Sequence, residues 1–178
     1  MRNKIKIRHS GGFSLVEMIA VISIIGIIVI ISVGPLASIY KARAKAVSTE
    51  LNALITQCKL NTLSGKSSRL EVEFDEDENG YKCELIYTDK SRNNEIYKTE
   101  YIGSKQSEIK VNNSKSLKSN KMIIGFSPST GKVNFFKCGD ENLLLNDENK
   151  ITVQSAQTYE IVLYMLTGKS DVYKATSE

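Results

Sequence analysis

The apolar positions of the chain follow two different patterns. Residues 18–40 contain no charged side chain and are dominated by Ile and Val, whereas the following residues mix apolar and polar positions. As a helix, this uncharged run of 23 residues covers about 34 Å, enough to cross a hydrocarbon core of about 30 Å. Lipid requires backbone hydrogen bonds to close within the segment, so helix is favoured over strand. We predict a membrane-spanning helix here.

The helical pattern continues beyond the uncharged run. One apolar stripe at i, i+4, i+7, i+8 and i+11 consists of Val47, Leu51, Leu54, Ile55 and Cys58. Polar residues occupy the opposite face, and Ser64-Gly65 is a typical helix stop. The pattern predicts one helix from about Phe13 to Leu63, in which residues 41–64 are amphipathic and cover a globular head.

Residues 65–178 change to short runs separated by turn residues, which predicts a mainly antiparallel β head and an α+β fold. The predicted strands lie near residues 70–74, 81–88, 95–102, 109–112, 122–126, 132–137, 151–154, 159–166 and 171–174. Two turn segments share a pattern, Phe126-Ser127-Pro128-Ser129-Thr130-Gly131-Lys132 and Thr167-Gly168-Lys169. Each places Gly where a hairpin requires positive φ.

Three interpretations compete for the N-terminal segment: a secretory signal peptide, an ordinary membrane anchor and a prepilin leader with its helix. Ala42-Arg43-Ala44 fits a signal-peptide cleavage site, but the apolar run is about twice the usual ~7–15 residues of such a peptide. Basic residues lie on both sides of the run, so charge specifies topology only weakly.

The segment Gly11-Gly12-Phe13-Ser14-Leu15-Val16-Glu17 resembles the prepilin peptidase site of type IV pilin-like proteins. The resemblance implies a leader of residues 1–12, cleavage between Gly12 and Phe13, and N-methylation of Phe13 by the peptidase/methylase. It further implies that residues 13–40 cross the membrane first and later lie in a filament core.

Placing the carboxylate of Glu17 in an apolar membrane helix costs roughly 2.5–3.5 kcal/mol of free energy on membrane-insertion scales. Cleavage would create an amine on Phe13 one turn away, and a helix N-terminus favours negative charge. The resemblance implies that Glu17 neutralises the amine of a neighbouring subunit during assembly; snorkelling at the membrane surface is the alternative.

Gly34-Pro35 is predicted to break the helix, because Pro35 cannot donate a hydrogen bond and Gly34 adds backbone freedom. A simple kink is one interpretation. The resemblance to pilins implies a second, in which the helix loosens there when it is packed into a filament.

The paired turns of the head resemble those of H-type minor pseudopilins, although generic hairpins are an alternative. Together the resemblances imply a minor pilin or pseudopilin with other pilin subunits and the inner assembly platform as partners. The head would be extracytoplasmic and, after assembly, part of an extracellular filament. The alternative is a minor pseudopilin of a type II secretion or competence DNA-uptake system, with a DNA-binding surface.

An acidic turn is a candidate calcium site, because Asp75, Asp77 and Asn79 place oxygens at the first positions of an EF-hand-like loop. However, Ile86 stands where that loop needs Glu, and Asn79-Gly80 is itself a hairpin signal. We therefore favour a simple acidic hairpin turn over a calcium site.

A lysine-rich stretch, residues 103–121, is a candidate DNA contact. Its basic residues are Lys105, Lys110, Lys115, Lys118 and Lys121, and only Glu108 within the stretch opposes them. It lacks arginine and aromatic residues for base stacking. A solvated loop is favoured.

The remaining composition argues against an enzyme. The single histidine, His9, lies in the predicted leader, so the mature chain would have no His-based catalytic or metal site, and we expect no cofactor. The formal charge of +4 includes four basic residues of the leader, so the mature chain is near neutrality. Cys58, Cys83 and Cys138 could form at most one internal disulfide; buried thiols are the favoured interpretation.

Overall fold

The computed structural model describes residues 14–88, 94–144 and 147–175, apart from the side chains of residues 30–41. The chain divides into two compact units, Met1–Ser38 and Ile39–Glu178. The larger unit contains the described strands, and its fold is α+β as predicted.

Helix α1 runs from Leu15 to Leu63, which confirms the predicted C-terminal end. The helix stops in a Schellman arrangement: Lys66 N–H donates to Asn61 O at 3.0 Å and Gly65 N–H donates to Thr62 O at 3.1 Å. Gly65 has φ +84°, a conformation that costs other residues energy. The stop therefore follows from a glycine placed directly after the last turn.

Within the larger unit, α1 buries one face against the sheets. The predicted stripe of Val47, Leu51, Leu54, Ile55 and Cys58 is buried, with at most 4% of any member exposed. Ala44, Ser48 and Thr62 extend the same face. Periodicity alone thus identified the side of the helix that packs on the head.

The described strands are β1 (Ser68–Asp75), β2 (Gly80–Tyr87), β3 (Ile96–Ile102), β4 (Glu108–Val111), β5 (Lys115–Ser116), β6 (Met122–Phe126), β7 (Val133–Cys138), β8 (Glu141–Asn142), β9 (Glu148–Gln154), β10 (Thr158–Tyr164) and β11 (Lys169–Lys174). They form a six-stranded sheet of order β3-β2-β1-β6-β7-β8 and a five-stranded sheet of order β11-β10-β9-β4-β5. Every described pairing is antiparallel, as expected.

One core joins both sheets and the second half of α1. Tyr81 on β2 is fully buried, and its hydroxyl donates to Ser107 O and accepts from Ile109 N–H, both at 3.1 Å. Burial raises the pKa of Tyr81, so the phenol stays protonated and able to donate. The two sheets are thereby linked by hydrogen bonds as well as by apolar contact.

Residues 103–121, for which a solvated loop was favoured over a DNA contact, are not a loop throughout. The stretch contains β4, which confirms the strand predicted near residues 109–112, and β5, and Leu117 behind them is only 1% exposed. The two-residue strands β5 and β8 were not predicted, because two polar residues are too few to show a period. Strand β9 begins three residues before the predicted start because Asn149 is fully buried, its side chain hydrogen-bonded to Asn112 and Leu143.

Within the part of the chain that the structure describes, no helix has the length and hydropathy needed to cross a membrane.

The predicted helix break at Gly34-Pro35 is not present in the described backbone, because both residues lie within α1, which runs as one helix from Leu15 to Leu63. The predicted loosening of the helix at this point in a filament stays a prediction.

Candidate assembly site at the helix N-terminus

The first turn of α1 is closed by a reciprocal pair of hydrogen bonds. Ser14 N–H donates to Glu17 Oε2 at 2.8 Å, and Glu17 N–H donates to Ser14 Oγ at 3.2 Å. This is a capping box, in which each side chain satisfies a backbone N–H that the helix itself leaves free. Glu17 is thereby directed toward the start of the helix.

The role of Ser14 was missed by the sequence argument, although its signal was present. Ser14-Leu15-Val16-Glu17 has the S-x-x-E spacing of a capping box directly before an apolar helix. Gly12 and Phe13, the two residues of the predicted cleavage site, lie outside the described residues.

The side chains around Glu17 are apolar and exposed. From Leu15 to Val29 every large hydrophobic side chain is at least 46% exposed, including Leu15 at 79% and Val16 at 73%. A helix that is apolar all around is stable only where other apolar groups or lipid surround it. The carboxylate of Glu17 therefore lies at the start of a helical segment whose large apolar side chains are exposed.

Comparisons with known proteins agree with this arrangement. Residues 7–33 match the family described as the prokaryotic N-terminal methylation motif. A crystal structure of the type IV minor pilin FimU of Pseudomonas aeruginosa shares the fold, with a TM-score of 0.50 at 9% identity over 75% of this chain and 90% of that chain. The chain is thus similar to type IV pilins in its N-terminal motif and in its fold. No curated protein matches it.

In the acidic turn between β1 and β2, the Asp75 carboxylate accepts hydrogen bonds from the backbone of the turn itself. Asp75 Oδ1 accepts from Asp77 N–H at 3.0 Å and from Glu78 N–H at 3.2 Å, and Asn79 adopts φ +53° before β2 begins at Gly80. Among the described residues no group of three His, Cys, Asp or Glu is placed to hold a metal ion. The geometry is that of a tight hairpin turn.

Most candidate lysines of residues 103–121 contact acidic or backbone groups. Lys110 pairs with Glu108 at 3.1 Å and Lys115 pairs with Glu141 at 3.0 Å. Lys121 pairs with Glu71 and Glu73, and Lys118 Nζ donates to Lys105 O at 3.1 Å. The strand pairing brings in acidic residues from outside the stretch, so the local positive charge is smaller than the sequence suggests.

All three cysteines are free and buried, as favoured. Burial raises the pKa of Cys58 to about 12 and that of Cys83 to about 12, and it also raises the pKa of Cys138. These thiols remain protonated at neutral pH and are poor nucleophiles. Their role is packing.

Proposed function

We propose that the protein is a structural subunit, a minor pilin or pseudopilin, of a type IV pilus-like filament. The observation that supports this most is the capping box of Ser14 and Glu17 at the start of an exposed apolar helix, directly after the predicted cleavage site. The N-terminal methylation motif and the fold shared with a minor pilin agree with it.

Processing would give the helix its second charged group. Prepilin peptidase cleaves the Gly12–Phe13 amide, removes the basic leader and leaves an amine on Phe13, which is then methylated. The amine keeps its positive charge after a single methylation. The mature helix thus begins with a cation on Phe13 and the carboxylate of Glu17 close behind it.

Assembly would pair these charges between subunits. In a water-poor filament core, the amine of one subunit needs a counter-charge, and Glu17 of the next supplies it. Removing one member of a buried ion pair typically costs roughly 3–5 kcal/mol because the other charge is left uncompensated. This cost makes Glu17 the residue on which incorporation depends.

Before assembly, residues 13–40 would hold the chain in the membrane with the head on the extracytoplasmic side. The inner assembly platform would then transfer the subunit from lipid to the filament, exchanging one apolar environment for another. A pilus, a type II secretion pseudopilus and a competence filament share these steps. Loss of surface filaments, of secreted protein or of transformation in a deletion strain distinguishes the three.

The test is the ratio of Glu17→Gln protein in sheared filaments to that in membranes. Gln can keep the capping box but has no charge, so cleavage and membrane insertion should be normal while the filament ratio falls at least tenfold. Ser14→Ala is the matched control, because it removes the Ser14 Oγ acceptor and retains the carboxylate. An unchanged ratio for Glu17→Gln would refute the pairing role.

A further inference from the structure

A cavity of about 420 Å³ lies beside α1 near the start of the larger unit. Its helical wall includes Arg43, Val47 and Glu50, and its other wall consists of Tyr101 and the β3–β4 loop, residues 103–107. Gly103 brings this loop close to the helix, because a Cβ added there would be 3.5 Å from Val47 Cγ2. The cavity is thus formed by the packing of the loop on α1.

Two charged side chains of opposite sign line this cavity. Arg43 and Glu50 are two helical turns apart, which is about 10 Å along α1. The guanidinium of Arg43 extends toward the loop, where its Nη1 donates to Gln106 Oε1 at 3.0 Å. Glu50 has no ion-pair partner among the residues that the structure describes. One end of the cavity is therefore positive and the other is negative.

The cavity also offers an aromatic ring and a hydroxyl group. Tyr101 lines it and is 51% exposed, and the electron-rich face of a tyrosine ring attracts an ammonium group. Ser104 lines it too, and its buried Oγ has no hydrogen-bond partner among the described residues. These groups favour a polar ligand that carries both a negative and a positive charge.

The position of the cavity along the chain indicates the source of such a ligand. Arg43 comes three residues after the uncharged run that ends at Tyr40, and three residues span at most about 11 Å even when fully extended. In the proposed function residues 13–40 cross the membrane, so chain connectivity alone keeps Arg43 within or beside the headgroup layer, which is roughly 5–7 Å thick on each side. A lipid headgroup is therefore within reach.

A headgroup would also explain why basic residues occupy this position. Positive charge beside a membrane span favours the cytoplasmic side, whereas Arg43 and Lys45 follow the run on the side of the head, which the proposed function places outside the cytoplasm. A lipid phosphate compensates the charge of Arg43 there, and hydrogen bonds between arginine and phosphate are among the strong, charge-assisted ones.

We propose that the cavity binds the headgroup of a zwitterionic phospholipid with a primary ammonium group, as in phosphatidylethanolamine. The phosphodiester, which is joined to the glycerol of the lipid, pairs with Arg43, the lining residue nearest in sequence to the membrane segment. The ammonium group, at the outer end of the headgroup, donates to the carboxylate of Glu50 and contacts Tyr101. This inference rests on the proposed function and adds to it a lipid contact of the head before assembly.

The charges of the cavity predict a preference among headgroups. Phosphatidylglycerol has the same phosphodiester but ends in hydroxyls, so it leaves Glu50 without a counter-charge. Phosphatidylcholine has a cation without N–H groups, so it cannot donate a hydrogen bond to that carboxylate. Both should therefore bind more weakly than phosphatidylethanolamine.

Native mass spectrometry of the mature protein, purified from membranes in a non-ionic detergent, tests this preference. The protein is mixed with lipids that share their acyl chains and differ only in the headgroup, and the fraction that carries a lipid is measured. Wild type should retain phosphatidylethanolamine at least fivefold more than phosphatidylglycerol or phosphatidylcholine.

Two variants separate the two ends of the cavity. Arg43→Gln should lower retention of phosphatidylethanolamine and phosphatidylglycerol alike, because both offer the phosphate. Glu50→Gln should lower retention of phosphatidylethanolamine alone, to the level of phosphatidylglycerol. Lys66→Gln is the matched control, since it removes an exposed positive charge beyond the other end of α1, and it should stay within about twofold of wild type. A folding defect would not produce this split between lipids.

Three outcomes would overturn the inference. Equal retention of phosphatidylethanolamine and phosphatidylglycerol by wild type would exclude an ammonium site. An equal loss for Lys66→Gln would show that lipid binds by general charge. Displacement of the lipid by an equal concentration of free phosphoethanolamine would identify a soluble ligand instead of a lipid. Each of these leaves the proposed function intact, whereas absence of the wild-type protein from filaments would overturn the proposed function itself.

Discussion

Glu71 on β1 is an acidic side chain that the head nearly buries, with 7% of it exposed. Its carboxylate pairs with Arg69 at 2.6 Å and with Lys121, which directly precedes the neighbouring strand β6. Burial raises the pKa of Glu71, but the hydrogen bonds and charges of Lys121 and Arg69 outweigh burial and lower it overall. The folded head therefore favours the ionised form.

This shift predicts how stability depends on pH. Because the pKa of Glu71 is lower in the folded state than in the unfolded one, its contribution is present above the unfolded pKa and is lost as pH falls through the folded pKa. Glu71→Gln should destabilise the head by about 1–3 kcal/mol at pH 7. It should also reduce the loss of stability between pH 5 and pH 3.

Denaturant unfolding at pH 7, 5 and 3 measures both effects. Glu76→Gln is the matched control, because Glu76 is exposed in the β1–β2 turn, and it should change stability by less than about 0.5 kcal/mol. Equal pH profiles for wild type and Glu71→Gln would contradict the assignment.

At the scale of elements, the two glycine turns identified in the sequence lie against each other. Gly131 has φ +68° and Gly168 has φ +60°, which confirms the positive φ predicted for both. A Cβ added to Gly168 would be 2.1 Å from Gly131 O and 3.0 Å from the ring of Phe126. Gly168 is therefore required for close approach of two backbones as well as for its dihedral angle.

Gly168→Ala should be more destabilising than a glycine change that affects only the dihedral angle. Gly65 supplies that control, because its φ is +84° and nothing lies within 4 Å of an added Cβ. We expect Gly65→Ala to cost about 1–2 kcal/mol and Gly168→Ala to exceed it by at least about 1 kcal/mol, since a carbonyl must move. If both variants lose the same free energy of unfolding in denaturant, the two turns can move apart at no cost in stability, which would contradict this expectation.

Patterns of adjacent residues predicted these elements well. They could not predict contacts between residues that are far apart in the sequence. The stop of α1 after Leu63, the alternation of β1 and the glycine turns each depend on a few adjacent residues. The ion pair of Lys121 with Glu71 depends on β6 pairing with β1 across 50 positions of sequence, which composition does not reveal. At the candidate site, Glu17 was identified from the prepilin-like motif and from the cost of a carboxylate in an apolar helix, whereas its partner Ser14 was overlooked.

At the scale of the whole molecule, the chain consists of two compact units, Met1–Ser38 and Ile39–Glu178. The unit Ile39–Glu178 contains all the residues of the described core cluster, from Ala44 to Met165. The exposed Ile and Val residues of the first unit take no part in that cluster. The stability of the head should therefore depend little on the N-terminal segment.

Removal of residues 1–38 should leave a folded, soluble head. The buried stripe of α1 remains in the fragment and still covers the sheets, so unfolding in denaturant should be a single cooperative transition. Size-exclusion chromatography and circular dichroism check the fragment. Aggregation, or a transition without cooperativity, would contradict the division into anchor and head.

The residue at which the mature chain begins tests the proposed subunit function most directly. Mass spectrometry of the N-terminal peptide, from protein purified out of the membrane and filament fractions of the native cell, identifies that residue. Cleavage between Gly12 and Phe13 predicts a mature peptide that begins with N-methyl-Phe13 and lacks the basic leader. A mature N-terminus at Met1, or one near Ala44 as a signal peptidase would produce, would contradict the proposed subunit function.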